Sequence, residues 1–198
     1  MDKEVQNCLL CEQALQHTIT WKTLFERNWS PVICERCEAK FQKAHYEKDG
    51  VTAIFLYNDV MKKILRQYKF SQDIVLAKIF RQALHERLSN CQETIVPIPM
   101  HPLKKKERTF AHIDELLCAA EIQYEHMLEK TTLETQVGKS QKQRQQVAPL
   151  FICHKKLSAK HYIVIDDIIT TGTTIAHARK ALLDAGAESV TAVVLIKG

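Results

Sequence analysis

The sequence predicts an α/β domain, a parallel sheet covered by helices on both faces, with a small four-cysteine metal module ahead of it. Three observations carry that expectation. From residue 51 onward short apolar strands alternate with amphipathic helices, and parallel neighbours need such long crossovers. Two Cys-x2-Cys pairs stand at residues 8–11 and 34–37. The chain of 198 residues suits one catalytic-size domain plus an appendage. A composition of 45% hydrophobic and 26% charged residues excludes disordered and fibrous architectures. The formal net charge of +5 points mildly towards an anionic partner.

The small module is read as residues 1–47 and the larger domain as 48–198. After the Asp49-Gly50 turn, Val51 to Tyr57 reads as a strand, followed by helices from Asp59 to about Tyr68 and from Asp73 to about Leu88. Thr94 to Ile98 is a strand of the buried type ending in prolines. Phe110 to Glu121 is helical, with Ile113, Leu116, Leu117 and Ala120 on one face. Tyr162 to Ile165 is a second buried strand. The helix after it, from about Thr173 to Ala185, buries Ile175, Ala178 and Leu182 and stops at Gly186. Val190 to Ile196 is the last strand. Residues 135–165 hold no carboxylate but six cations, Lys139, Lys142, Arg144, Lys155, Lys156 and Lys160. The glutamine-rich first half of that stretch lacks apolar periodicity and is expected to be a mobile loop, either a functional lid or a linker.

Cys8, Cys11, Cys34 and Cys37 have the spacing of a four-thiolate zinc site, because each pair grips two corners of a tetrahedron from one tight turn. Such zinc is structural, since four thiolates leave no position for a catalytic water. Trp21 and Trp29 are expected to form the module's miniature core, and Cys91, Cys118 and Cys153 to be buried small hydrophobes. No apolar run approaches the ~18 residues that cross a bilayer, and the polar start Met1 to Asn7 does not suit a signal peptide. A cytoplasmic, non-membrane-spanning protein is expected.

The richest stretch runs from Tyr162 to Thr174. A strand delivers Asp166 and Asp167, then Thr170, Thr171, Thr173 and Thr174 surround Gly172, and a helix begins. Gly172 lets backbone approach an anion, a helix N-terminus favours a phosphate, and the hydroxyls add donors. The two acids belong beside the phosphate, accepting hydrogen bonds from neutral hydroxyls such as those of a ribose. Phosphate plus sugar diol suggests a ribose 5-phosphate ligand. Gly138-Lys139-Ser140 does not make a P-loop, because Leu133 stands where the first glycine is needed.

Residues 163–174 resemble the phosphoribosyl pyrophosphate (PRPP) motif of type I phosphoribosyltransferases. The four-cysteine head, the segment Val96 to Pro102, the basic run Lys104-Lys105-Lys106-Glu107-Arg108 and this motif follow one another as in the ComF (ComFC) competence proteins, over nearly the whole chain. The resemblance implies a Rossmann-like type I phosphoribosyltransferase fold behind a zinc finger. It implies that Asp166 and Asp167 bind the ribose hydroxyls and that Thr170, Thr171, Gly172, Thr173 and Thr174 cradle the 5-phosphate. By the same resemblance, Pro99, Met100 and His101 form the pyrophosphate loop, and the segment around Lys139, Lys142 and Arg144 closes over the ligand, Mg2+ accompanying PRPP. A role in single-stranded DNA uptake follows, with a DNA translocase at the inner face of the membrane as partner and basic loops on the DNA backbone.

The chain departs from that pattern in two places. Arg108-Thr109-Phe110-Ala111-His112 stands where such proteins show Arg-Gly-Phe-Asn-Gln, and Thr170 replaces the aspartate that serves purine-salvage enzymes as proton acceptor. Purine salvage is therefore disfavoured. No general base is legible, since His101, His112 and His154 are isolated in sequence and read as surface or loop histidines without a carboxylate to orient them. The acids are placed at a strand end, outside the core. Two further readings stay open: a phosphoribosyltransferase of nucleotide metabolism with an unidentified acceptor, and a zinc-dependent nucleic-acid-binding protein whose PRPP site does no chemistry. Lys104 to Lys106 equally suit a pyrophosphate contact, a nucleic-acid patch or a solvated face.

Overall fold

The computed structural model describes residues 5–15, 29–100, 109–131, 150–158 and 160–198. Its centre is a five-stranded sheet of order β1-β2-β7-β6-β3, built from β1 (Lys43–Lys48), β2 (Val51–Leu56), β3 (Thr94–Pro97), β6 (His161–Ile169) and β7 (Ser189–Lys197). β2, β7, β6 and β3 run parallel, while β1 pairs antiparallel with β2 across Asp49-Gly50. The sheet is therefore mixed at one edge. β1 has a largely polar sequence, exposed at Lys43, His45, Glu47 and Lys48, which suits an edge strand and hides it from an apolar pattern search.

β6 and β7 are nearly continuous apolar runs because both of their faces are covered. Ile163, Ile165, Val193 and Leu195 turn to one face, against α2 (Asp59–Phe70), a 3-10 turn (Ile74–Ile79), α3 (Arg81–Leu88) and α4 (His112–Ala119). Tyr162, Val164, Ala192 and Val194 turn to the other, against α5 (Thr173–Asp184) and a hairpin of β4 (Glu129–Lys130) with β5 (Phe151–Ile152). The single helix expected over residues 73–88 is divided. β-Branched Ile74, Val75 and Ile79 suit a continuous α-helix poorly, and Phe80, at the junction, is held by Phe41 and Phe55. Asn58 caps α2 by accepting from the Met61 amide at 2.9 Å. Gly186 ends α5 as expected, at φ 111°, where a Cβ would stand 3.0 Å from the Leu157 carbonyl oxygen.

The head, with the short helix α1 (Glu35–Glu38), packs on this body through Phe41, Leu9 and Leu10. Its own cluster consists of Cys8, Cys37 and Ile33 with Leu15 and Cys34, and Trp29 is not among them. Trp29 meets the edge of His85 on α3 at 4.9 Å between ring centroids, takes the Arg81 guanidinium over its ring and donates to Glu121 at 3.3 Å. The tryptophan thus joins head to body. A core so small is already filled by the ligating cysteines and one isoleucine. Trp21 lies outside the described residues. Of the three remaining cysteines, Cys91 and Cys153 are half-buried and Cys118 is exposed, so the expectation of three buried thiols fails.

Candidate phosphoribosyl site and metal centre

Parallel strands place their carboxyl ends on one edge of the sheet. The chain leaves β3 towards α4 on one face and leaves the adjacent β6 towards α5 on the other. In sheets of this kind ligands bind outside the carboxyl ends of the strands at such a divergence. Ile98 continues the pairing by donating to the Ile165 carbonyl at 2.9 Å, so half-buried Pro99 and Met100 follow immediately beside the end of β6. His101, Lys104, Lys105, Lys106 and Arg108 lie outside the described residues, as do Lys139, Lys142 and Arg144. The segment carrying the last three joins β4 to β5, whose stem is tied by the Thr131 amide to the Leu150 carbonyl at 3.0 Å.

Thr170 and Thr171 are exposed after β6, and Gly172 turns the chain at φ 80°, a conformation that only glycine adopts without strain. α5 begins there, with Thr171 and Thr173 hydroxyls 3.0 Å apart. The loop, the glycine and the helix N-terminus thus follow one another directly after β6.

The two acids differ. Neighbouring residues of a strand point to opposite faces, and Asp167 turns towards the face of α2 and α4, where it is 4% exposed. Its Oδ2 forms an ion pair with Lys69 Nζ, at the end of α2, and lies 3.0 Å from His112 Nε2, at the start of α4. Burial alone would raise this carboxyl, yet the His112 hydrogen bond and the charges of Lys69 and His112 outweigh it and hold the group well below the usual carboxylate range. Asp166 remains half-buried, its Oδ1 accepting from the Asp167 amide at 2.8 Å. Burial, then the negative charge of Asp167, pushes its carboxyl up to about 7, against the amide bond and the charges of Lys69 and Lys130. The side-chain donors of His112, Asp166 and Asp167 all lie within 4.8 Å of one another.

Two expectations change here. His112 is buried and has a carboxylate orienter, whereas sequence isolation suggested a surface histidine. Asp167 belongs to the edge of the core, so the acids are not both peripheral. Lys69 was not singled out at all. Both cations carried a faint signal: Lys69 extends the buried Met61, Leu65 stripe of α2, and His112 lies one turn before Leu116 on the apolar face of α4. His154 is exposed beside Glu129 at 3.4 Å, as a surface histidine should be, and His101 lies outside the described residues.

At the other end of the chain, the four sulfurs of Cys8, Cys11, Cys34 and Cys37 lie within 4.8 Å of one another, and Cys11 Sγ is 3.7 Å from Cys34 Sγ. A tetrahedron with metal–sulfur bonds of ~2.3 Å has edges of ~3.8 Å. The donor set therefore fits a closed, structural metal ion. The Cys34 amide donates to Cys8 Sγ at 3.3 Å. A backbone bond from Gln13 leads in bringing the Cys11 thiol down to about 6, while burial and the neighbouring thiols push Cys37 up to about 12. Four thiolates cannot share this volume without a cation. Arg36 lies against Cys11 and offsets the negative charge of such a centre.

The phosphoribosyl transferase domain family matches residues 120–198. Competence protein ComFC of Streptococcus pneumoniae is 32% identical, covering 96% of this chain and 99% of that protein. Competence protein ComFC of Bacillus subtilis is 26% identical, covering 96% of this chain and 94% of that protein. Among solved structures, the allosteric regulatory enzyme of purine biosynthesis matches 60% of this chain and 25% of its own, at 21% identity and a TM-score of 0.41.

Proposed function

The chain belongs to the ComFC competence-protein family, and from that premise we propose that it is a competence protein that binds PRPP with Mg2+ and supports single-stranded DNA uptake in natural transformation. The observation that carries the ligand is the junction of β6 with α5. Asp166 and Asp167 end a strand at the carboxyl edge of the sheet, and Thr170 to Thr174 with Gly172 at φ 80° open a helix beside them. In this reading the loop takes the 5-phosphate, the acids the ribose hydroxyls, and Pro99, Met100 and His101 the pyrophosphate. Lys139, Lys142 and Arg144 close over it, and Lys104, Lys105, Lys106 and Arg108 contact phosphate, of the ligand or of DNA.

Mg2+ neutralises pyrophosphate charge and so favours its binding or departure. One oxygen of Asp167 already faces both Lys69 and His112, which suits an ion carried on the ligand's own phosphates better than one held by this residue. The metal of the head is zinc in this reading, the choice of an all-thiolate tetrahedron. Among the described residues no helix is long and apolar enough to cross a membrane. The protein acts in the cytoplasm, at the inner face of the membrane, beside a DNA translocase.

Calorimetric titration with PRPP and Mg2+, with and without single-stranded DNA, tests the reading when pyrophosphate is followed in the same samples. Binding without pyrophosphate release, altered by DNA, is expected. Steady release would make the protein a working transferase, and absence of PRPP binding would overturn the ligand assignment.

A further inference from the structure

Lys69 and His112, from two different helices, converge on one buried carboxylate oxygen, Asp167 Oδ2. We propose that Lys69 and His112 are positioning residues of the phosphoribosyl site, clamping Asp167 from the end of α2 and the start of α4 so that Asp166 is the acid that meets the ribose hydroxyls. This inference rests on the ligand reading above.

Asp167 faces Lys69 from α2, His112 from α4 and Asp166 beside it. Tyr68 donates to the His112 backbone carbonyl at 2.5 Å, with Asp114 and Glu115 of α4 beyond it, and Lys130 of β4 acts on Asp166 from the other face. An acid held so firmly has no freedom to follow a ligand, while its half-buried neighbour keeps an open side. Burial first, and then the negative charge of Asp167, push the Asp166 carboxyl up to about 7, so below that pH it favours the protonated form. A protonated carboxyl both donates and accepts, and it adds no second full negative charge beside an anionic phosphoribosyl group.

The imidazole is suited to this task at a structural cost. Its Nε2 faces a carboxylate and so carries the proton, a tautomer assigned from the network. Among the described residues its Nδ1 is a buried nitrogen with no hydrogen-bond partner. A glutamine, as the related pattern shows at this place, could supply the same donor without burying a ring.

The test uses the full-length, metal-loaded protein and its Lys69→Met, His112→Leu and His112→Gln variants. Aspartate side-chain carboxyls are titrated by 13C NMR without ligand, and PRPP affinity with Mg2+ is measured by calorimetry. In the wild type one aspartate titrates near neutrality, and Lys69→Met moves it upward by about one pH unit, because an opposite charge is lost. Lys69→Met and His112→Leu weaken PRPP about tenfold, a charged hydrogen bond's worth, and His112→Gln recovers most of what His112→Leu loses. A carboxyl titration unmoved in Lys69→Met, or unchanged affinity in both Lys69→Met and His112→Leu, overturns the proposal. A shifted titration in a protein that never binds PRPP overturns the ligand reading instead.

Discussion

Asp167→Asn separates the two acids by stability as well as by binding. The substitution leaves Lys69 facing a neutral amide. Removing one partner of a buried pair costs ~3–5 kcal/mol. The Lys69 side chain keeps 16% of its surface exposed and can turn partly to water, which places the loss at the lower end, about 3 kcal/mol. For a chain of this length that lowers Tm by about 6–12 °C. The depressed Asp167 carboxyl contributes its stability above the unfolded value of ~3.9 and loses it only as pH falls through its lower folded value, so the loss is flat between pH 5.5 and 8. Asp166 behaves oppositely. Its raised carboxyl favours folding fully below the unfolded value, and that contribution fades as pH rises to about 7. Asp166→Asn, which cannot ionise, therefore gains on the wild type between pH 5 and 8. Urea unfolding of both variants at pH 5.5 and 8 measures this. A loss below about 1 kcal/mol in Asp167→Asn, the size of an exposed pair, or parallel behaviour of the two variants, would refute the clamp.

Cys34→Ser removes one corner of the thiolate cluster, so metal analysis should show the purified variant depleted of zinc and hydrogen exchange should show residues 29–42 opened, because binding energy in such a module is folding energy. Gly172→Ala meets no close atom, Ile169 Cδ1 being 3.6 Å from the added Cβ, so its effect is backbone strain at φ 80°. It should cost about 1 kcal/mol in urea unfolding and weaken PRPP several-fold by calorimetry. Thr109 is a β-branched residue at φ 64°, and Thr109→Gly should stabilise the chain by up to about 1 kcal/mol in the same unfolding assay.

What could be read from the sequence was local. Each cysteine pair, the strand from Tyr162 and the Asp-Asp to Thr-Gly-Thr junction lie within a short span, so their local form is legible from residue type and spacing. The glycine that related chains place at residue 109 also made physical sense afterwards, since the backbone there is left-handed even with threonine. The convergence of Lys69 and His112 on Asp167 is not legible because they are 43 positions apart in the chain and about 100 and 55 from Asp167, and only the packing of α2 and α4 on one sheet face brings them together. Each reads as an ordinary polar residue at a helix end. β1 shows no apolar pattern because an edge strand need not be apolar, and Trp29, close to the cysteines in sequence, packs instead against His85 of α3.

In the proposed function the β6–α5 junction binds a phosphorylated ribose. Amide chemical-shift mapping of the zinc-loaded protein on addition of PRPP and Mg2+ addresses it most directly. The largest changes are predicted at Asp166 and at Thr170 to Thr174, with Pro99's neighbour Met100 next and the cysteine head unmoved. Changes centred on residues 8–37, or none at the junction at saturating ligand, would contradict it.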